Sequence, residues 1–191
     1  MPQPAHRPSQ RTAVLDAALG LLRGDAALSL DSAARAAGVS KPGLMYHFPT
    51  KEALVAALVD HVVDRYEREL TALVHDGGGG VEDDDVGGAD AHVRLAAYVR
   101  WSITHDHDPA DLVMLADPRL RQRMAERWAE RLAVWVAVPA DLPSGRRARC
   151  QAARLLADGC WFADASGVLP IPADDRDALL DLALGLLGED A

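Results

Sequence analysis

Between Ser29 and Phe48 the chain reads Ser-Leu-Asp-Ser-Ala-Ala-Arg-Ala-Ala-Gly-Val-Ser-Lys-Pro-Gly-Leu-Met-Tyr-His-Phe, and this run permits few backbone paths. Ser29 is placed to cap a short helix over 30–37, whose Ala33, Ala34 and Ala37 form a small-residue face that a second helix can approach closely. Gly38 sits where the chain must leave that helix through the left-handed region, which only glycine enters cheaply. Val39 closes the corner. Ser40 then opens a second helix over 41–47, and its first turn accepts Pro42 because the missing N–H has no partner there in any case. Phe48-Pro49 ends it, and Thr50 caps the next helix with Lys51 and Glu52 in its first turn. The spacing predicts a helix-turn-helix.

The rest of the chain is helical by the same physical signs. Apolar residues recur at three and four positions, alternation is nearly absent, and Ala, Leu and Arg dominate. Helices are predicted over 10–24, 30–37, 41–47, 50–74, 90–106, 109–116, 118–138, 144–166 and 174–187. Gly24, Pro109, Pro139, Pro143, Pro170 and Pro172 supply the breaks. Asp76 to Asp90, with six glycines and six acids, is too polar to offset its ordering entropy and reads as a mobile loop. At 191 residues the chain suffices for one domain or two small ones with a real core.

Net charge is −9, yet residues 1–51 carry six Lys or Arg against three acids while 52–191 carry fourteen against twenty-six. A basic end on an acidic body points to nucleic acid at that end. Cys150 and Cys160 are too few for a secreted disulfide scaffold; on one helix they would stand about 15 Å apart along its axis, beyond the roughly 7 Å a disulfide spans. The N-terminus has no signal-peptide core, and the apolar run Leu132–Val138 is far short of a membrane span. These features predict a cytoplasmic protein with no membrane association.

Gly38-Val39-Ser40-Lys41-Pro42-Gly43-Leu44-Met45-Tyr46-His47-Phe48-Pro49-Thr50-Lys51-Glu52-Ala53-Leu54 resembles the signature of the TetR/AcrR family of bacterial transcriptional regulators. The likeness covers residues 10–60, including a first helix around Ala17-Ala18 and Leu21-Leu22, and beyond residue 70 it is architectural; Ala157–Asp164 is similar to a subset of family bodies. It implies that Lys41, Met45 and His47 face the major groove and that Ser29, Ser40, Tyr46, Thr50 and Lys51 meet phosphate, with Pro42 at the entry of the recognition helix. A helix N-terminus suits an anionic oxygen, and Arg7 and Arg11 on a flexible arm add charge. His47 packs as a satisfied histidine as readily as it reaches DNA. Where the family carries Tyr after the helix's Leu, this chain has Met45, whose only base contact is apolar, as to a thymine methyl; Gly43 precedes that Leu.

In the body, Ala178–Leu187 is apolar around its whole circumference, so it must be covered on more than one side. With the small residues of the preceding helix, this fits the family's dimer interface, for which Ala153, Ala157, Cys160, Leu179, Leu182 and Leu186 are the candidates. Tyr98, Trp101 and His105 share one helical face, and Met124 and Trp128 another; with Trp161 they are candidates for an apolar ligand pocket, or plain core. His105-Asp106-His107-Asp108 lacks the spacing for two histidines on one helical face, and no metal site is predicted. No phosphate loop, nucleophile elbow or dinucleotide fingerprint is present, so neither cofactor nor catalytic residues are expected.

The expectation is therefore an all-α chain of about nine helices. Residues 1–50 form a three-helix helix-turn-helix DNA-binding domain with a flexible N-terminal arm, joined through helix four to a helical ligand-binding and dimerisation domain over 51–191. The resemblance implies a homodimeric, ligand-responsive repressor of a palindromic double-stranded operator, answering an unknown small-molecule effector. A regulator without an inducer is the nearest alternative, and an all-helical enzyme or metal-binding bundle a remote one.

Overall fold

The computed structural model describes residues 9–24, 26–76 and 90–188. The expected mobile loop, apart from Asp76 and Asp90 at its ends, and Arg7 of the expected arm lie outside the described residues. Every regular element described is helical: α1 Gln10–Arg23, α2 Leu30–Ala36, α3 Lys41–His47, α4 Lys51–Asp76, α5 Ala91–Thr104, a 3₁₀ segment Pro109–Leu115, α6 Arg121–Val136, α7 Ser144–Ser166, and α8 Arg176–Leu187 preceded by the 3₁₀ turn Ala173–Asp175.

Local chemistry sets the ends. Ser9 accepts the Thr12 N–H to start α1. Ser29 and Ser32 form a reciprocal capping box on α2, each hydroxyl accepting the other's backbone N–H at 3.0 and 2.9 Å. At the far end of α2 the Val39 N–H reaches the Ala34 carbonyl and the Gly38 N–H the Arg35 carbonyl. This is a Schellman closure, with Gly38 at φ 66° as it demands. Ser40 accepts the Gly43 N–H at 3.2 Å. A Cβ on Gly43 would stand 3.1 Å from that hydroxyl, so glycine leaves the cap room.

Most boundaries fall within two residues of the periodicity, and three differences have a local cause. The 109–116 segment is 3₁₀, with Leu112 off helical geometry. The sixth α-helix begins at Arg121, because Asp117 turns the chain by accepting the Arg119 N–H at 2.8 Å. The fifth stops at Thr104, leaving His105 extended.

The chain forms two compact units, neither continuous in sequence. The first comprises residues 1–62 and 109–128, the second 63–108 and 129–191, so the division does not follow a cut after residue 50. Within the first unit α1 packs on α2 and on the 3₁₀ segment, and α2 on α3. Its core includes Val14, Leu15, Ala18, Leu19, Leu44, Phe48, Leu54 and Leu58, all buried. Within the second unit α5, α7 and α8 pack mutually. Ala153, Ala157 and Cys160, expected at a subunit interface, are instead buried inside this unit, where small side chains let neighbouring helices approach. They are therefore no part of an exposed face. The exposed apolar side of α7 is carried by Leu155 (59% exposed) and Phe162 (47%), and that of α8 by Leu182 (58%). Leu179 and Leu186 are half-buried.

Candidate nucleic-acid interface

Helix α3 divides its side chains cleanly. Leu44 and Phe48 are buried in the first unit, while Lys41, Pro42, Met45 (40% exposed) and Tyr46 (86%) face outward. An 86% exposed tyrosine on a helix of seven residues contributes nothing to a core; it is presented. His47 is half-buried, with its ring edge-on to Tyr46 at 5.2 Å.

The polar residues have internal work as well. The Ser29 hydroxyl is held in the capping box, with Ser32 Oγ 3.0 Å away. Ser40 accepts one N–H and keeps its own proton to donate. Thr50 accepts the Ala53 N–H at 3.0 Å and so caps α4. The two lysines are both paired: Lys41 Nζ lies 2.9 Å from Asp31 Oδ2, exposed on both sides, and Lys51 Nζ lies 2.6 Å from Asp117 Oδ2. The outward residues of α3 and the start of α4 thus offer an exposed tyrosine and methionine and two lysines, each lysine held by a carboxylate of the first unit. Arg11, expected on a free arm, stands over the Phe48 ring at 5.1 Å.

These features match known sequences. The profile of the bacterial regulatory proteins of the tetR family matches residues 14–58, and that of the tetracyclin repressor-like C-terminal domain matches residues 93–188. The chain belongs to the TetR family. It is a DNA-binding transcriptional regulator of a family that is not enzymatic. It is 29% identical over 155 residues to the HTH-type transcriptional regulator EthR of Mycobacterium tuberculosis, covering 78% of this chain and 68% of that one. A TetR-family member from Streptomyces coelicolor A3 shares the fold with a TM-score of 0.62 at 21% identity, over 95% of this chain and all of that one. The multidrug binding protein EbrR complexed with malachite green does so with a TM-score of 0.62 at 22% identity, again over 95% and 100%.

The candidate pocket residues are divided between the units. Tyr98, Trp101, His105 and Trp161 belong to the second, Met124 and Trp128 to the first. In the second unit Trp101 lies 4.1 Å from the Tyr66 ring, Trp161 donates to the Tyr66 hydroxyl at 3.3 Å, and Trp101 donates to Glu69 Oε2 at 2.7 Å. His105 stacks on Trp101 at 5.1 Å, and His107 meets the same ring edge-on at 4.8 Å. The helix end after Thr104 is what lets both histidines reach one tryptophan. Tyr98 is buried and donates to Asp158 Oδ1 at 2.7 Å. Tyr66, Glu69 and Asp158 escaped sequence reasoning because their partners lie 32 to 95 positions away. A separate cavity of about 220 Å³ in this unit is lined by Leu95, Val138, Leu142, Cys150, His92 and Arg146. Arg146 is engaged there with the Leu187 carbonyl at 2.7 Å and with that of Gly188.

Proposed function

We propose that the protein is a homodimeric, ligand-responsive repressor that binds a palindromic operator. The observation that carries this is the exposed apolar side of α7 and α8, with Leu155, Phe162 and Leu182 outward on a protein that reads DNA. Burying one such leucine from each protomer removes apolar area worth about 1.5–3 kcal/mol per side chain. A two-fold dimer then duplicates α3, and two identical readers call for two identical half-sites about one helical turn apart or a multiple of it. On α3, Lys41 and Met45 read bases; Tyr46, Lys51 and the cap of α4 hold phosphate, with Ser29, Ser40 and His47 beside them. Residues 1–50 then serve as the DNA-binding domain and 51–191 as the ligand and dimer domain.

Responsiveness to a small molecule draws support from the cavity beside Cys150 and from EbrR, which binds malachite green. An apolar wall with a few polar handles suits an organic effector. No described helix is long and apolar enough to cross a membrane, and a regulator of this kind works in the cytoplasm, beside its operator.

Selection of bound sequences from a random duplex pool tests the reading, and inverted repeats are expected. Sequences without two-fold symmetry would overturn the dimeric operator. In the same assay Lys41→Ala should change the preferred bases, whereas Lys51→Ala should weaken all sequences alike.

A further inference from the structure

Three ion pairs join residues 117–127 to α4 inside the first unit. Arg123 meets Glu52, and Arg127 grips Asp60 with two bonds of 2.7 Å. In both the cation comes from α6 and the acid from α4. The third pair has the opposite polarity: Lys51 supplies the cation and Asp117 the acid, at 2.6 Å. Lys51 is the only Lys or Arg in residues 51–60. The one cation at the DNA end of α4 is thus held by a carboxylate of its own unit.

We propose that Asp117 limits DNA affinity: its carboxylate occupies the Lys51 ammonium where a backbone phosphate binds, and DNA must displace or share it. The inference rests on the reading of Lys51 as a phosphate contact. The geometry favours competition. Asp117 is anchored by its own chain, since the Arg119 N–H donates to it at 2.8 Å, and its side chain is only 12% exposed, so it does not swing away to follow Lys51. Lys51 is 40% exposed and sits at the first position of α4, next to the Thr50 cap and the free N–H groups of the first turn, the place where an anion is best held. One anchored anion and one incoming anion thus address the same ammonium. The Lys51 and Arg119 hydrogen bonds also hold the Asp117 carboxyl below its ordinary range, so the competing charge persists at neutral pH.

The test uses the full chain and a labelled duplex of mixed sequence, about 30 base pairs long to hold two half-sites. Asp117→Asn keeps an acceptor for the Arg119 N–H and loses the charge. It should bind about tenfold more tightly and steepen the plot of log affinity against log salt by about one counterion per protomer, as Lys51 becomes free to neutralise a phosphate. The gain should vanish when Lys51→Gln is also present, and Asp177→Asn on α8 should shift affinity far less. Should Asp117→Asn melt early, Asp117→Ser repeats the measurement with the turn acceptor retained. Unchanged or weaker binding by the charge-neutral variant, or the same gain without Lys51 or from Asp177→Asn, overturns the proposal. If Lys51→Gln weakens binding while Asp117→Asn leaves it unchanged, the phosphate role of Lys51 stands and the competition alone fails; if Lys51→Gln changes nothing in either background, the phosphate role of Lys51 itself is what fails.

Discussion

Gly20 and Gly38 carry the same hydrogen for a side chain and do opposite things. Gly20 lies on the exposed side of α1 with open space about it; there it only adds backbone entropy to the unfolded chain. Gly38 also has open space but sits at φ 66°, where a Cβ is strained whatever the room. Gly20→Ala should therefore stabilise the protein by about 0.5–1 kcal/mol, and Gly38→Ala should destabilise it by about 1–2 kcal/mol. Urea unfolding of the two variants checks both signs. A second residue ties stability to pH. Burial first, and then the Asp158 charge it donates to, push the ionisation of Tyr98 well above its ordinary value of 10.0. The folded protein thus keeps a proton that the unfolded chain releases. The stabilisation is complete below pH 10.0 and is lost as pH rises from there. Tyr98→Phe should cost about 1 kcal/mol near neutrality through the lost hydrogen bond, and above pH 10.0 its stability should fall less steeply than the wild type's, by about 1.4 kcal/mol per pH unit. Parallel slopes in alkaline denaturation would show that Tyr98 does not hold that proton.

At the scale of elements, the apolar face of α7 and α8 makes its own prediction. Leu182→Asp places a charge where a partner would bury it, and an unpaired buried charge is strongly unfavourable. Light scattering should find the wild type as a dimer at micromolar concentration and Leu182→Asp as a folded monomer of 20.4 kDa; a wild-type monomer would remove the two-half-site operator. This face also marks what the sequence could say. Caps, glycine corners and 3.6-residue periodicity act within a few positions, so α1 to α4 and the helix-turn-helix were legible almost to the residue. Which side of a helix is covered is decided by partners far along the chain. Ala153, Ala157 and Cys160 read as a surface seam because small residues permit close approach of any helix; the helices that take that approach are α5 and α8 of the same protomer. Likewise nothing near Lys51 announces Asp117, 66 positions on, and nothing near Trp101 announces Glu69.

Over the whole molecule the charge is segregated, between the compact units almost as sharply as between residues 1–51 and 52–191. The first unit holds ten Lys or Arg against eight acids, while the second holds ten against twenty-one. Net charge therefore says little about DNA binding, which depends on the few cations that touch phosphate, whereas the acidic second unit adds a repulsion that salt screens over about 10 Å at 0.1 M. These two effects have opposite signs in salt, and their magnitudes decide which is seen. A dimer presenting Lys41 twice, with Lys51 still held by Asp117, displaces on the order of two counterions, giving a slope near −1.8 in log affinity against log salt and roughly a 12-fold loss between 50 and 200 mM. Screening of the acidic unit's repulsion is the weaker effect over that range, because a charge more than a Debye length from the duplex is already damped at its lower end. Fluorescence anisotropy with a labelled duplex should therefore show affinity falling steeply with salt despite a net charge of −9. Replacing both lysines should flatten the plot to near zero, and affinity that rises with salt would mean that the acidic unit, and not the α3 and α4 surface, governs the encounter.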